Sequence, residues 1–176
     1  MKKIDTSKWV PFTLGQLFNI KKGTRLTKAD MIEGEINFIG ASAMNNGVTA
    51  KIGNTDCLHP ANTITVSYNG SVGEAFYQET KFWASDDINV LYPKFKLTKQ
   101  IAFFMIPYIR AIGKRYAFVD KWRLEIMEKD SILLPAIDKK TPDYSAMERY
   151  IKSREKIVKV AVEALQSIAK SMTRCN

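Results

Sequence analysis

Cysteine and histidine are scarce in this chain: its 176 residues include two cysteines and one histidine. Cys57 and Cys175 are far apart and form no disulfide framework, so the sequence suits a reducing compartment. His59 stands before a proline, and no nucleophile can be paired with it from the sequence. A metal site needs histidine, cysteine or carboxylate ligands at short spacing, and the sequence shows no such cluster. The sequence therefore predicts no disulfide scaffold, no metal centre and no histidine-based catalytic site.

Long apolar runs are also absent. The longest apolar stretch, residues 101–112, is interrupted by Arg110 and is too short to span a bilayer. Met1, Lys2 and Lys3 lead into polar residues rather than an apolar run, so we expect no signal peptide. These features predict a cytoplasmic protein with no membrane partner.

The glycine-rich motifs that bind phosphate groups of nucleotides are incomplete. Gly70-x-x-Gly73 lacks the third glycine of a dinucleotide-binding loop, and the Gly-Lys-Ser/Thr ending of a phosphate loop does not occur. With no catalytic constellation and no cofactor motif, we expect this chain to bind rather than to catalyse.

Positive charge is abundant, with 27 Lys and Arg residues against 18 Asp and Glu and a net charge of +9. Two basic segments carry most of the signal. The first surrounds Gly23, whose backbone N–H groups could serve phosphates, and the second runs from residue 94 to residue 123 with rings between its cations. A solvated surface is the ordinary explanation of such segments, but two of them on one domain favour a polyanion such as DNA. The candidate phosphate contacts are Lys21, Lys22, Arg25, Lys28, Lys114, Arg115, Lys121 and Arg123.

Polar side chains on the predicted turns are candidates for reading bases, because they both donate and accept hydrogen bonds in the grooves of DNA. They are Asn45, Asn46, Asn69 and Ser71. Asn and Ser are also ordinary turn formers, so for each of them turn chemistry is the simpler interpretation.

The chain reads as α+β, with one domain at residues 1–141 and a long helix at 142–176. Short strands between glycine-containing turns fill the first 95 residues and suggest a compact, curled β-sheet or small barrel. Apolar residues at helical spacing over 101–112 predict an accessory helix that Pro107 should kink or split. We expect a last strand at 131–134, and Pro142 with a Ser145-x-x-Glu148 capping box should open the final helix.

The final helix carries an apolar stripe at alternating spacings of four and three, which is typical of a coiled coil. The stripe consists of Met147, Ile151, Val158, Ala161, Leu165, Ile168 and Met172, with Arg154 interrupting it. Tyr150, Ile157 and Ala164 form a second row beside it. This surface either folds back onto its own domain or pairs with another chain, and its length favours pairing.

Several segments together resemble the DNA specificity subunits of type I restriction-modification systems. The resemblance covers essentially the whole chain and is carried by the order and spacing of its pieces. They are 12–23 (FTLGQLFNIKKG), Leu26-Thr27-Lys28, Asn45-Asn46-Gly47-Val48, 63–66 (TITV), Gly70-x-x-Gly73 before Phe76-Tyr77-Gln78, 132–135 (ILLP), and 142–151 (PDYSAMERYI). The family often has a glycine just after the aromatic pair at 116–118, where this chain has Val119 and Asp120.

The resemblance implies a target recognition domain that binds double-stranded DNA and carries no catalytic centre of its own. In the family, a methyltransferase subunit binds S-adenosylmethionine and modifies adenine, and a separate restriction subunit cuts. Family members usually hold two recognition domains separated by two paired helices, whereas this chain has one of each and resembles half a subunit. A homodimer through the C-terminal helix should then read a two-part, inversely repeated DNA site.

Two other functions remain open from the residues alone. A metal-dependent DNA nuclease would need Asp56, Glu79 and Lys81 to converge. A non-specific single-strand or RNA binder would use the rings of Trp83, Tyr116 and Trp122 as stacking platforms.

Overall fold

The computed structural model describes residues 5–116 and 121–173. Val119 and Asp120, Cys175 and the side chain of Met172 lie outside the described part. The described residues form nine strands and four α-helices in this order: β1 (Val10–Thr13), α1 (Leu14–Leu17), β2 (Phe18–Lys22), β3 (Ile36–Ile39), β4 (Val48–Ile52), β5 (Thr63–Ser67), β6 (Ala75–Gln78), β7 (Phe82–Ala84), β8 (Ile88–Pro93), α2 (Lys99–Gly113), α3 (Leu124–Met127), β9 (Ser131–Leu134) and α4 (Tyr144–Thr173).

The strands form three sheets with free edges rather than a barrel. Their orders are β1-β9, β2-β8-β5-β6 and β4-β3-β7, and the β3–β7 pair is parallel whereas the other strand pairs in the described ranges are antiparallel. Among the described residues no sheet closes on itself, so the small barrel was the wrong expectation. The reason is local: the chain leaves the four-stranded sheet after β6, and three residues later β7 joins the other sheet beside β3.

The largest core cluster lies between the four-stranded sheet and α2. It joins the inward side chains of β2, β5 and β8 to the buried face of α2, to β1 and β9, and to the start of α4. Thr98 caps α2 because its hydroxyl accepts a hydrogen bond from Ile101 N. The helix runs through Pro107 without dividing, contrary to the predicted split. Pro107 lies on the exposed face of α2, and the opposite face of the helix stays packed in the main core.

The start of α4 differs from the predicted capping box. The helix begins at Tyr144, and Asp143 Oδ1 accepts a hydrogen bond from Ala146 N at 2.8 Å. Pro142 lies before the helix in a β-bridge with Ala136, so it is outside the first turn. Aspartate caps a helix as well as serine does, and the stacking of Tyr144 on Phe95, with ring centroids 4.2 Å apart, holds the helix at this register.

No helix in residues 5–116 and 121–173 has the combination of length and apolar composition needed to cross a bilayer.

Candidate nucleic-acid interface

Two basic segments that are distant in the sequence meet at one cleft. The cleft has a volume of about 380 Å³. Three of its lining residues are cations: Lys22 from the end of β2, and Lys121 and Arg123 from the segment that leads into α3. Its remaining described lining residues are Tyr68, Asn89, Leu124 and Glu125. Among the described lining residues, three cations stand against one carboxylate, and this positive balance suits an anion.

The strand alternation places Lys22 at this cleft. Phe18 and Ile20 of β2 are buried in the main core, and Lys22 follows them on the same face of the strand. Its ammonium lies 5.4 Å from the centroid of the Tyr68 ring. A hydrogen bond with the Tyr68 side chain is the main cause that raises the pKa of Lys22. Lys22 is therefore held in its charged form where the core opens to solvent.

A buried tryptophan positions the other two cations. Trp122 is fully buried between Lys121 and Arg123, and its Nε1 donates to Asp130 Oδ2 at 2.6 Å. The hydroxyl of Tyr116 donates to the same oxygen at 2.8 Å, and the Tyr116 and Trp122 rings stack with centroids 5.6 Å apart. Because the tryptophan is anchored in this way, its two basic neighbours are held at the cleft.

The rest of the first basic segment is more exposed and lies outside the cleft lining. Lys21 points to the other face of β2, with its ammonium 5.0 Å from the Tyr92 ring centroid. Arg25 forms an exposed ion pair with Asp86 at 3.5 Å, and Lys28 lies on an exposed turn. These side chains remain predicted phosphate contacts.

The backbone around Gly23 does not offer the free N–H groups that the sequence suggested. Gly23 N donates to Ile88 O and Thr24 N donates to Ala84 O, both at 2.8 Å. The glycine is needed for close approach, since a Cβ there would lie 2.2 Å from Ser85 O. This backbone holds the strands together, so any phosphate contact here falls to side chains.

The four turn residues proposed as base readers all donate hydrogen bonds within the domain. The acceptors are Val48 O for Asn45, Tyr77 O and Gln78 Oε1 for Asn46, Asp87 Oδ1 for Asn69, and Ala41 O for Ser71. Asn45 and Asn46 also have positive φ of 49° and 54°, which confirms their turn chemistry. Base reading by these residues stays a prediction, and each has a structural task that accounts for it.

Lys114 and Arg115 follow the end of α2 on the exposed surface, and neither is among the described residues that line the cleft. Arg115 instead borders a different groove with Trp9 and Tyr108. Their predicted contact with DNA would therefore come from a surface separate from the cleft.

Trp83 and Trp122 cannot act as stacking platforms, because the side chains are buried. The Nε1 of Trp83 donates to Thr24 O at 2.8 Å, and Tyr116 is half-buried against Trp122. The nuclease hypothesis gains no support either. In the described ranges no three His, Cys, Asp or Glu side chains lie close enough to hold a metal ion, and Glu79 pairs with Lys99 at 3.4 Å.

Sequence reasoning missed four of the described lining residues, namely Tyr68, Asn89, Leu124 and Glu125. Asn89 had a detectable signal, since it is a polar residue inside the apolar strand β8. Nothing local marks Tyr68 or Glu125, because their position depends on the pairing of distant strands.

The apolar stripe of α4 divides into two parts. Met147 is fully buried in the main core, and Ile151 is half-buried against it, so the helix first folds back onto its own domain. From residue 155 to residue 170 every side chain is exposed. The exposed part of the predicted dimer contact comprises Val158, Ala161, Leu165 and Ile168.

Arg154 lies where the two parts of the stripe meet. Its guanidinium is 4.8 Å from the ring centroid of Tyr150, and its Nε is buried without a hydrogen-bond partner among the described residues.

The fold and the cleft define a class: a sheet-rich binding module with a cationic cleft, extended by a helix with an exposed apolar stripe. Residues 6–164 match the family described as the type I restriction modification DNA specificity domain. The chain belongs to this family, which confirms the resemblance noted in the sequence.

Individual relatives agree with this assignment. The chain is 38% identical over 156 residues to the specificity subunit S.BcgI of a type II restriction enzyme from Heyndrickxia coagulans, covering 88% of this chain and 46% of that protein. The type I S subunit from M. genitalium has a similar fold, with a TM-score of 0.60 at 17% identity over 92% of this chain and 44% of its own. The HsdS subunit from Thermoanaerobacter tengcongensis also has a similar fold, with a TM-score of 0.61 at 14% identity. The match covers 92% of this chain and 41% of the HsdS chain. The chain thus spans a little under half the length of the proteins it matches.

Proposed function

We propose that this chain is a sequence-specific DNA recognition domain that acts as half of a specificity subunit in a restriction-modification complex. The observation that carries the proposal is the cleft in which Lys22 meets Lys121 and Arg123. Cations from separate segments, fixed by strand register and a buried tryptophan, are suited to hold the phosphate backbone of duplex DNA.

The cleft can be tested by comparing charge-removing variants inside and outside it. We expect Lys22→Gln and Arg123→Gln each to weaken binding to duplex DNA on all sequences and to reduce the slope of log K against log salt by about 1. Lys156→Gln is the matched control, because it removes the same charge from an exposed position on α4. Fluorescence anisotropy at several salt concentrations measures both quantities. Equal effects from the control would contradict a site at the cleft.

The proposal includes pairing of two copies through α4. Its support is the apolar stripe of α4 that is exposed between residues 155 and 170. An isologous pair would place two identical recognition domains at a fixed separation. Selection from a random duplex library should then yield two inverted half-sites with one constant spacer. A single undivided site would contradict symmetric pairing.

We further propose that this chain carries no catalytic centre and that S-adenosylmethionine binds a partner methyltransferase subunit, with cleavage carried out by a restriction subunit. A structurally similar chain comes from a study of complex assembly in the type I R-M system (TM-score 0.62, 13% identity). The purified chain alone should transfer no methyl group to DNA, and a partner methyltransferase subunit should methylate the selected site only when this chain is present. Methyl transfer by this chain alone would overturn this assignment.

A further inference from the structure

Asn89 forms the floor of the cationic cleft. It is 1% exposed, and it lies opposite Lys22 in the register of β2 and β8. Register partners on antiparallel strands point to the same face, so the amide of Asn89 and the stem of Lys22 share one side of the sheet. Asn89 therefore lines the cleft from the sheet, together with the three cations Lys22, Lys121 and Arg123.

Among the described residues, the side-chain N–H of Asn89 has a weak hydrogen-bond partner. Its Nδ2 lies 3.9 Å from the sulfur of Met127, and a thioether is a weak acceptor. The buried amide of Gln78 is a useful contrast, because its Nε2 donates to Asn46 O at 3.2 Å and to Thr65 Oγ1 at 3.0 Å. A leucine would pack against Met127 as well as asparagine does and would leave no amide to satisfy. The domain alone does not explain a polar residue at this position.

The residues around Asn89 indicate which kind of ligand would accept a hydrogen bond from its amide. Lys22, Lys121 and Arg123 attract an anion, and the N–H of Asn89 adds a neutral donor between them. Asparagine, lysine and arginine are all common donors to phosphate oxygens in DNA complexes. The volume of about 380 Å³ leaves ample room for one phosphate group.

We infer that the cleft is a seat for a single backbone phosphate of the bound DNA, with Asn89 as the hydrogen-bond donor at its floor. This inference rests on the proposed function. It adds a discrete site in which an uncharged residue fixes the position of one phosphate, whereas the cations supply attraction from several directions.

Inorganic phosphate tests the seat without DNA. At equal ionic strength set with chloride, phosphate should raise the melting temperature of the wild-type chain and should not raise that of Asn89→Leu. Asn19→Leu is the matched control, since Asn19 is an exposed amide on β2. Its response to phosphate should equal that of the wild type. An equal response in Asn89→Leu, or no response in the wild type, would overturn the seat.

Duplex DNA gives the second readout. Asn89→Leu should weaken binding about tenfold on every sequence, as expected for loss of a hydrogen bond to a charged group. Because the lost group is neutral, the salt slope should stay unchanged, unlike that of Lys22→Gln. Asn89→Asp keeps the shape of the side chain and should weaken binding further through repulsion. Unchanged affinity in both variants, or a loss restricted to one base position, would overturn the phosphate seat. No duplex binding by the wild type would instead overturn the proposed function.

Discussion

Replacing Leu165 by lysine should break the proposed pairing of two chains through α4. Leu165 is 66% exposed and lies at the middle of the exposed stripe, so most of its surface is available for burial against a partner. Full burial of a leucine side chain contributes about 1.5–3 kcal/mol, and the exposed two-thirds therefore about 1–2 kcal/mol. A two-fold symmetric pair buries the residue twice, so the two copies together contribute about 2–4 kcal/mol to dimerisation. Losing this contribution should raise the dimer dissociation constant about 30- to 700-fold.

Val160 supplies a matched control for this variant. It is 57% exposed, and at about 100° per residue it lies about 140° around the helix from Leu165. Val160→Lys therefore adds the same charge to the same helix outside the stripe, and it should leave the dimer intact. Both changes replace an exposed apolar residue in a helix, so their direct effects on folding should be small.

Sedimentation or light scattering across a concentration series measures the dimer constant of each variant. A version that ends after Lys156 should be monomeric and folded, because it keeps Met147, Tyr150 and Ile151, which pack on the domain. A wild-type chain that stays monomeric at all concentrations would refute the pairing. So would equal weakening by the two lysine variants, since the effect would then come from charge rather than from the stripe.

Three further predictions concern the domain itself. Asp130→Ala removes the acceptor shared by Trp122 and Tyr116 and leaves a buried indole N–H unpaired. The free energy of unfolding in urea should therefore fall by about 1–3 kcal/mol. An unchanged free energy of unfolding would mean that these hydrogen bonds do not anchor the segment. Gly23→Ala should give little folded protein by circular dichroism, because the new Cβ would lie 2.2 Å from the carbonyl oxygen of Ser85. A melting temperature equal to that of the wild type would contradict that close approach. Burial, and then a nearby lysine charge, lowers the pKa of His59, so the unfolded chain takes up this proton at higher pH than the folded chain. Stability should therefore fall as pH drops below about 6.5, and His59→Gln should flatten that decline in urea unfolding at several pH values.

Local patterns account for the features that were predicted well. The turn at Asn45 and Asn46 follows from side chains that tolerate positive φ. Accessory helix α2 follows from helical spacing of apolar residues, and the long α4 from its stripe. The split expected at Pro107 was wrong, because Pro107 lies on the exposed face of α2, and which face is packed is set by the sheet rather than by the proline.

Whether a side chain serves the domain or a partner depended on its distant neighbours. The sequence could not show that Trp83 and Trp122 are buried, or that the amides of Asn46 and Asn69 hydrogen-bond within the domain. Each of these contacts joins residues from separate elements, so no local periodicity contains the information.

The sequence by itself determined the charge of this protein, its short strands, its last helix and its family, because these depend on composition, spacing and the order of motifs. Only the tertiary structure decided where the charge is concentrated. Pairing of β2 with β8 sets Lys22 beside Asn89, and the bond from Trp122 to Asp130 holds Lys121 and Arg123 around them. Strand register and long-range packing bring these residues together, and both are properties of the folded chain as a whole.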